Sequence, residues 1–401
     1  MVKFVAIILL ILFCLTIWLF TDYKLGRKKH LQNFREKKYP KRHSDIQLFS
    51  NGNPLFKDMF DEIRSAKKHI HILFYIVKDD KMSTEFLQLL KKKAEQGLEV
   101  RLLLDWMGSY KVKRSIIKEM RASGVSFSFC QVPKFPYLFY SSQERNHRKI
   151  TVIDGKIAYL GGYNIGKEYI DQDPELSPWR DYHIKMTGEG VQDLQEEFLT
   201  DWFNATHQDL RKDETYFPAL EKGKCQHQLA PTEGVLLERK YLQILDTVKK
   251  EVVIGTPYFI PSKALMQKLI EVLRKGIKLT ILVPYNPDHA LVKEAAFPYF
   301  RKLLTEGAEV HQYRKGFYHA KFILIDHEVL DLGTANFDKR SLFLNHEMNC
   351  YIYDKDCIRN MHDELKKDVE NSTPLTLKML NEPNVMRSIK EKLGTLISHF
   401  L

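Results

Sequence analysis

Two stretches decide the fold. They are Asn146-His147-Arg148-Lys149-Ile150-Thr151-Val152-Ile153-Asp154 and Tyr318-His319-Ala320-Lys321-Phe322-Ile323-Leu324-Ile325-Asp326. In each, a histidine and a lysine flank one residue, a mostly apolar run follows, and an aspartate closes the string. A glycine and an asparagine then recur at identical intervals, Gly161 and Asn164 in the first copy, Gly333 and Asn336 in the second. The run before the aspartate reads as a strand, and Asp154-Gly155 as the turn of a hairpin. Strand residues two apart share a face, so His147 projects with Lys149 and His319 with Lys321. The returning strand brings Asn164 or Asn336 back beside its pair.

Outward from these strings the chain alternates helices and strands, twice over. In the first half Leu55, Met59 and Ile63 recur at helical spacing, residues 69–77 read as a buried strand, and a helix over 83–96 stops at Gly97 before a strand over 98–104. A helix over 113–122 then precedes Gly124 and an extended segment over 125–130. The second half repeats this order: helix 237–250, apolar segment 252–260, helix 263–275 before Gly276, strand 277–283, then a helix ending at Gly307. Such a repeat is an internal duplication. It predicts an α/β fold of two domains packed face to face, 46–210 (motif 141–168) and 211–401 (motif 313–340), joined near the polar stretch 207–222. Residues 373–401 read as an accessory helical segment.

Each half thus offers an imidazole, an ammonium and a carboxamide. Two such sets around one point suit a phosphodiester. Lys149, Asn164, Lys321 and Asn336 would hold the non-bridging oxygens, and His147 and His319 would attack and protonate from opposite sides. Paired histidines also suggest a metal, but the lysines would repel a cation and no acidic cluster joins them, so neither metal nor cofactor is expected. Asp181 and Glu347 each open an apolar strand and are candidates to accept a hydrogen bond from their histidine, setting its tautomer. Asp154 and Asp326 complete the candidate catalytic set, although their place at the turn suits holding the hairpin better than touching substrate.

The 401 residues carry 62 basic and 51 acidic side chains, a formal charge of +11 that suits polyanions generally. Residues 4–20 form an uncharged, mostly apolar run with Trp18 and Tyr23 where interfacial aromatics sit. No small-residue cleavage site follows, so residues 1–21 read as a retained anchor and not a signal peptide. Residues 22–45 read as a basic linker, with Lys24, Arg27, Lys28, Lys29, Arg35, Lys37, Lys38, Lys41 and Arg42 against Lys3 alone before the span. The positive-inside rule then places the bulk of the chain in the cytoplasm, close to anionic headgroups. The five cysteines are scattered and suggest neither a disulfide framework nor a zinc site. Residues 133–140 (PKFPYLFY) gather aromatics just before the first motif, and suit either an interfacial loop or a core-facing one.

The two strings resemble the His-x-Lys-x4-Asp motif of the phospholipase D superfamily, in its single-chain, two-motif form, over residues 46–370. Within it, Asn146 to Ile150, Gly161-Gly162-Tyr163-Asn164-Ile165-Gly166, Trp179-Arg180-Asp181 and Gly333-Thr334-Ala335-Asn336-Phe337-Asp338 are similar to bacterial cardiolipin synthases. The single span resembles the shorter, minor members, since major ones usually carry two. The resemblance implies two phospholipase D-like α/β/α sandwiches in the bacterial cell membrane. It implies a metal-free transfer in which one histidine attacks phosphatidylglycerol, releases glycerol and forms a phosphatidyl-histidine. A second phosphatidylglycerol then yields cardiolipin. His147 is the implied nucleophile and His319 the acid and base. Phosphatidylglycerol and anionic membrane lipids are the implied partners, and nucleic acid is not. A hydrolytic phospholipase D or a serine-using phosphatidyltransferase fits the same motif; a nuclease would suit the basic charge but not the anchor.

Overall fold

The computed structural model describes residues 1–289 and 291–398. Their main feature is one continuous sheet of 15 strands, and its order displays the duplication directly. From one edge inward run Ser126–Cys130, Glu99–Asp105, His69–Phe74, Ile150–Ile153, Ile157–Gly161, His183–Gly188 and Arg42–Phe49. The second half mirrors this from its own edge with Glu309–Tyr313, Lys278–Pro284, Glu251–Gly255, Phe322–Ile325, Val329–Gly333, His346–Ile352 and Cys225–Glu233. The short strand Ser372–Pro374 lies outside Glu309–Tyr313. The halves meet where Arg42, His43 and Ser44 pair antiparallel with His227, Gln226 and Cys225. The expectation of domains packed face to face is therefore corrected: they join edge to edge, which pairs two inner edges that would otherwise stand open.

In each half three neighbouring strands run parallel, Ser126–Cys130, Glu99–Asp105 and His69–Phe74 in the first and Glu309–Tyr313, Lys278–Pro284 and Glu251–Gly255 in the second. Parallel neighbours need crossovers, supplied here by the helices Lys81–Glu95 and Arg114–Ala122, and by Lys263–Arg274 and Val292–Thr305. Asp80 and Ser262 cap the first helix of each set by accepting the N–H of Ser83 and Leu265. Apolar side chains pack on both sheet faces. One core, including Leu73, Phe198, Trp202, Leu229, Met348 and Met361, is shared by both halves, while the other face carries a separate core in each half. This is a three-layer α/β/α sandwich built twice.

The N-terminal helix Val2–Asn33 runs well past the apolar stretch. The expected basic linker over 22–45 is corrected accordingly: it is helix to Asn33 and strand from Arg42, with only 34–41 irregular. The helix continues because it has a docking partner, the short helix Leu138–Gln143. Asp22 Oδ1 accepts the Tyr140 N–H at 2.8 Å, and the Tyr23 ring stands 5.5 Å from that of Tyr140. A Cβ on Gly26 would fall 2.5 Å from Tyr140 Cβ, so a glycine there permits the close approach. The aromatic stretch is thus divided: Phe139 and Tyr140 pack against the helix continuation, whereas Phe135 is 81% exposed. Cys225 and Cys357, distant in sequence, meet beside Asp354, whose carboxylate caps the helix Lys355–Glu370. The accessory segment contains the helices Leu377–Asn381 and Val385–Ile397, which pack on Val292–Thr305; its last three residues lie outside the described ones.

Candidate active site

Each histidine lies just ahead of a central strand, and its main chain is stitched to the opposite half. The His147 N–H donates to the His346 carbonyl at 2.9 Å, and the His346 N–H to the Arg145 carbonyl at 2.8 Å. In the mirror arrangement the His319 N–H donates to the Arg180 carbonyl at 2.7 Å, and Phe317–Tyr318 pairs with Trp179–Arg180. This backbone pairing delivers to each histidine the carboxylate that follows. His147 Nδ1 stands 3.1 and 3.0 Å from the two oxygens of Glu347, and His319 Nδ1 stands 2.6 Å from Asp181 Oδ2. The sequence reading gave each histidine the carboxylate of its own half; the structure exchanges them.

Both carboxylates are themselves held. Glu347 accepts from Thr334 Oγ1 at 2.6 Å, Ser341 Oγ at 2.8 Å and Asn345 Nδ2 at 3.3 Å. Asp181 Oδ1 accepts the Tyr182 N–H at 2.7 Å, and a Cβ on Gly162 would stand 2.1 Å from that same oxygen. Lys149 Nζ donates to the His147 carbonyl at 2.6 Å, and Lys321 Nζ donates to the His319 carbonyl and lies 3.4 Å from Asp181. Asn164 accepts the Ile76 N–H at 3.2 Å and donates to the Tyr169 hydroxyl at 3.3 Å. Asn336 donates to Asp338 at 3.1 Å, and its amide oxygen is buried without a partner among the described residues.

Electrostatics follow from burial. It pushes the His147 imidazole below its ordinary value against the pull of Glu347. Burial and the Lys321 charge push His319 to about 4. Burial also lowers the Lys149 ammonium to about 7 and Lys321 to about 8. On Asp181 burial acts upward, but Lys321 and His319 hold it below the usual carboxylate range; on Glu347 burial is likewise outweighed, chiefly by His147. At neutral pH each imidazole is therefore neutral, with Nδ1 facing an ionised carboxylate that favours a proton there; Lys321 Nζ also lies 2.5 Å from Nδ1 of His319. The Nε2 lone pair of each imidazole, across the ring, is left for chemistry. A phosphodiester monoanion entering this site would favour the protonated lysines and one protonated imidazole, since its charge acts upward on every lowered pKa.

Asp154 and Asp326 are not brought to the histidines. Asp154 accepts the N–H groups of Lys67, Lys68 and His69 at 2.8, 2.7 and 3.0 Å. Asp326 accepts those of Lys249, Lys250 and Glu251 at 2.8, 2.8 and 2.9 Å. Four strand residues lie between each and its lysine, a span of roughly 16 Å. These carboxylates lock the hairpin tip to the neighbouring strand, with Asp154 and Asp326 themselves at φ of 54° and 50°. The sequence reading also missed the aromatic walls. The Tyr75 ring lies 5.0 Å from His147, and those of Trp179, Phe317 and Tyr258 lie 4.8, 5.8 and 6.5 Å from His319. Of these only Trp179 carried a signal, through its place before Arg180-Asp181.

The family described as "Cardiolipin synthase, PLD-like domain" matches residues 59–202 and 241–369, one segment in each half. The chain is 40% identical to the minor cardiolipin synthase ClsB of Bacillus subtilis, over 99% of this chain and 98% of that one. It is 38% identical to a cardiolipin synthase of Clostridium perfringens, over 88% and 76%. In three dimensions it is similar to the phosphatidylserine synthase of Haemophilus influenzae, with a TM-score of 0.69 at 17% identity, covering 94% of this chain and 100% of that one. Polyphosphate kinase from Porphyromonas gingivalis is similar with a TM-score of 0.56 at 14% identity, over 91% and 55%. At these identities the two solved structures speak to the fold alone.

Proposed function

The chain belongs to the cardiolipin synthases of the PLD-like domain family and is a phosphatidyltransferase, and from that premise we propose that it moves a phosphatidyl group between two phosphatidylglycerol molecules. The observation that carries the mechanism is the reciprocal pairing, His147 with Glu347 and His319 with Asp181. Nε2 of His147 attacks phosphorus while Glu347 stabilises the imidazolium that forms. The bond from phosphorus to the glycerol oxygen breaks, and His319, protonated once the phosphate is bound, hands its proton to that oxygen. Glycerol leaves. His319, now neutral, takes the proton from a hydroxyl of the second phosphatidylglycerol, whose oxygen displaces His147 and gives cardiolipin. Lys149 and Lys321, with the amides of Asn164 and Asn336, hold the non-bridging oxygens through both steps.

Among the described residues one helix, Lys3–Asn33, is long and apolar enough to cross a membrane, and none of its apolar window is buried. With the basic residues on its C-terminal side, this supports a single pass with the catalytic part in the cytoplasm of a bacterial cell. Product analysis tests the whole reading. Full-length protein in vesicles whose only phospholipid is phosphatidylglycerol should release cardiolipin and glycerol in equal amounts. Phosphatidic acid in place of cardiolipin would make it a hydrolase, and a product formed only on adding serine would make it a serine transferase.

A further inference from the structure

The helix Val385–Ile397 turns apolar side chains outward although it is firmly docked. Val385, Met386, Ile389, Leu393, Leu396 and Ile397 are 79, 63, 47, 48, 81 and 39% exposed. At about 100° per residue these six fill one continuous arc of roughly 120°. Lys392 borders the arc on one side and Lys390 on the other, both exposed. The opposite side is fixed to the protein. Glu391 accepts two hydrogen bonds from Arg301 at 2.7 and 2.8 Å, and Gly394 is buried where a Cβ would stand 2.9 Å from Ala295 Cβ. Arg387 donates to the carbonyls of Met379 and Leu380 at 2.9 Å each. The helix is held so that its apolar arc points away from the protein.

We propose that this face is a second membrane contact, lying in the plane of an anionic lipid surface. The 13 residues would cover about 20 Å, too short to cross a bilayer, whereas an apolar arc with lysines on both margins is what an in-plane helix carries. The N-terminal span already holds the chain at a bilayer, and side chains place the two elements near each other. Lys339 Nζ donates to Ser398 Oγ at 2.9 Å at the end of this helix, and the adjacent Arg340 donates to the Gln143 carbonyl at 3.0 Å. Gln143 ends the helix Leu138–Gln143, on which the N-terminal helix is docked. Lys339 and Arg340 also follow directly on Asn336-Phe337-Asp338. The two contacts therefore stand on either side of the segment that follows the second motif, and together they fix its orientation against the lipid.

The inference rests on the membrane reading of the N-terminal helix, and its first test reads position, with turnover as a second readout. Leu396→Trp places a probe at the most exposed residue of the arc, and Thr395→Trp places one on the exposed flank outside it. Each full-length variant is reconstituted in vesicles of phosphatidylserine and phosphatidylcholine, with and without bromine on the phosphatidylcholine chains, and the native protein's fluorescence is subtracted. Leu396→Trp should be quenched at least twofold more strongly than Thr395→Trp. Equal quenching of the two, or none at either, overturns the proposal. A second copy seated on the face would leave Leu396→Trp unquenched and the protein dimeric in detergent, which also overturns it. In a companion variant, Ile389→Ser with Leu393→Ser and Leu396→Ser, vesicle turnover should fall several-fold while turnover in mixed detergent micelles stays unchanged. An equal fall in both media would assign the face to folding and sink the idea.

Discussion

Each histidine presents the same ring nitrogen to a carboxylate, so what separates them must be read from trapping. With His319→Asn the second step loses its base, and labelled phosphatidyl group should remain on the protein at His147; with His147→Asn no label should be retained. Label at residue 319 would reverse the assignment. The carboxylates act through the rings, so Glu347→Gln and Asp181→Asn should each lower kcat about 10²–10⁴-fold with little change in KM, and shift the pH profile. The exchange of partners makes a sharper claim. Trapping at His147 should be impaired by Glu347→Gln far more than by Asp181→Asn, the reverse of what same-half pairing predicts. The exchange was not legible in the sequence, because the two copies are symmetric and spacing fixes each carboxylate only within its own half. Residue types and the strand-turn-strand frame of each motif were legible, because the duplicated string specifies its own strand and turn.

The hairpins show how an element can be read correctly while one of its residues is misplaced. The turn after each central strand was legible from Asp-Gly or its equivalent; that the aspartate reaches sideways to three amides of another strand was not, since that contact is non-local. Asp326→Ala should therefore cost about 3 kcal/mol in a urea melt, from three hydrogen bonds to a carboxylate exchanged for bonds to water, while the folded fraction keeps near-normal turnover. A loss of turnover without loss of stability would return Asp326 to the active site. On the next strand, Asp331 is buried on Val329–Gly333, with Asn349 as donor at 3.0 Å to one oxygen. Burial raises its carboxyl to about 7. A carboxyl raised in the folded state stabilises in its neutral form, so this contribution is present below its ordinary value of 3.8 and is lost as pH rises through about 7. Asp331→Asn should accordingly raise Tm more at pH 8 than at pH 5, and an equal shift at both would remove Asp331 as a titrating group. The helix over 22–33 was hidden for another reason. Its basic residues read as a solvated linker, and only the docked Tyr140 reveals why it stays helical.

Across the whole molecule the proposed mechanism makes the two halves answer to one site. His147→Ala and His319→Ala should each remove nearly all turnover, and the double variant should be scarcely worse, because groups that act as a unit are not additive. Two independent sites would leave about half the activity in each. Removing residues 1–21 should leave a folded, salt-sensitive membrane-binding enzyme, whereas removing residues 1–33 strips the partner from Leu138–Gln143 and should lower Tm as well. Identical melting of the two truncations would mean that the docked stretch contributes nothing. The reciprocal pairing also sets a schedule for synthesis. The ribosome releases the chain from its N-terminus, so the membrane helix and His147 emerge long before Glu347. A nascent protein can be held against a bilayer full of its own substrate while its first imidazole still lacks the carboxylate that aims it. Lipid cleavage is thus deferred until the second half has folded back onto the first, and a polypeptide stalled at residue 340 should be inert however well its first half has folded.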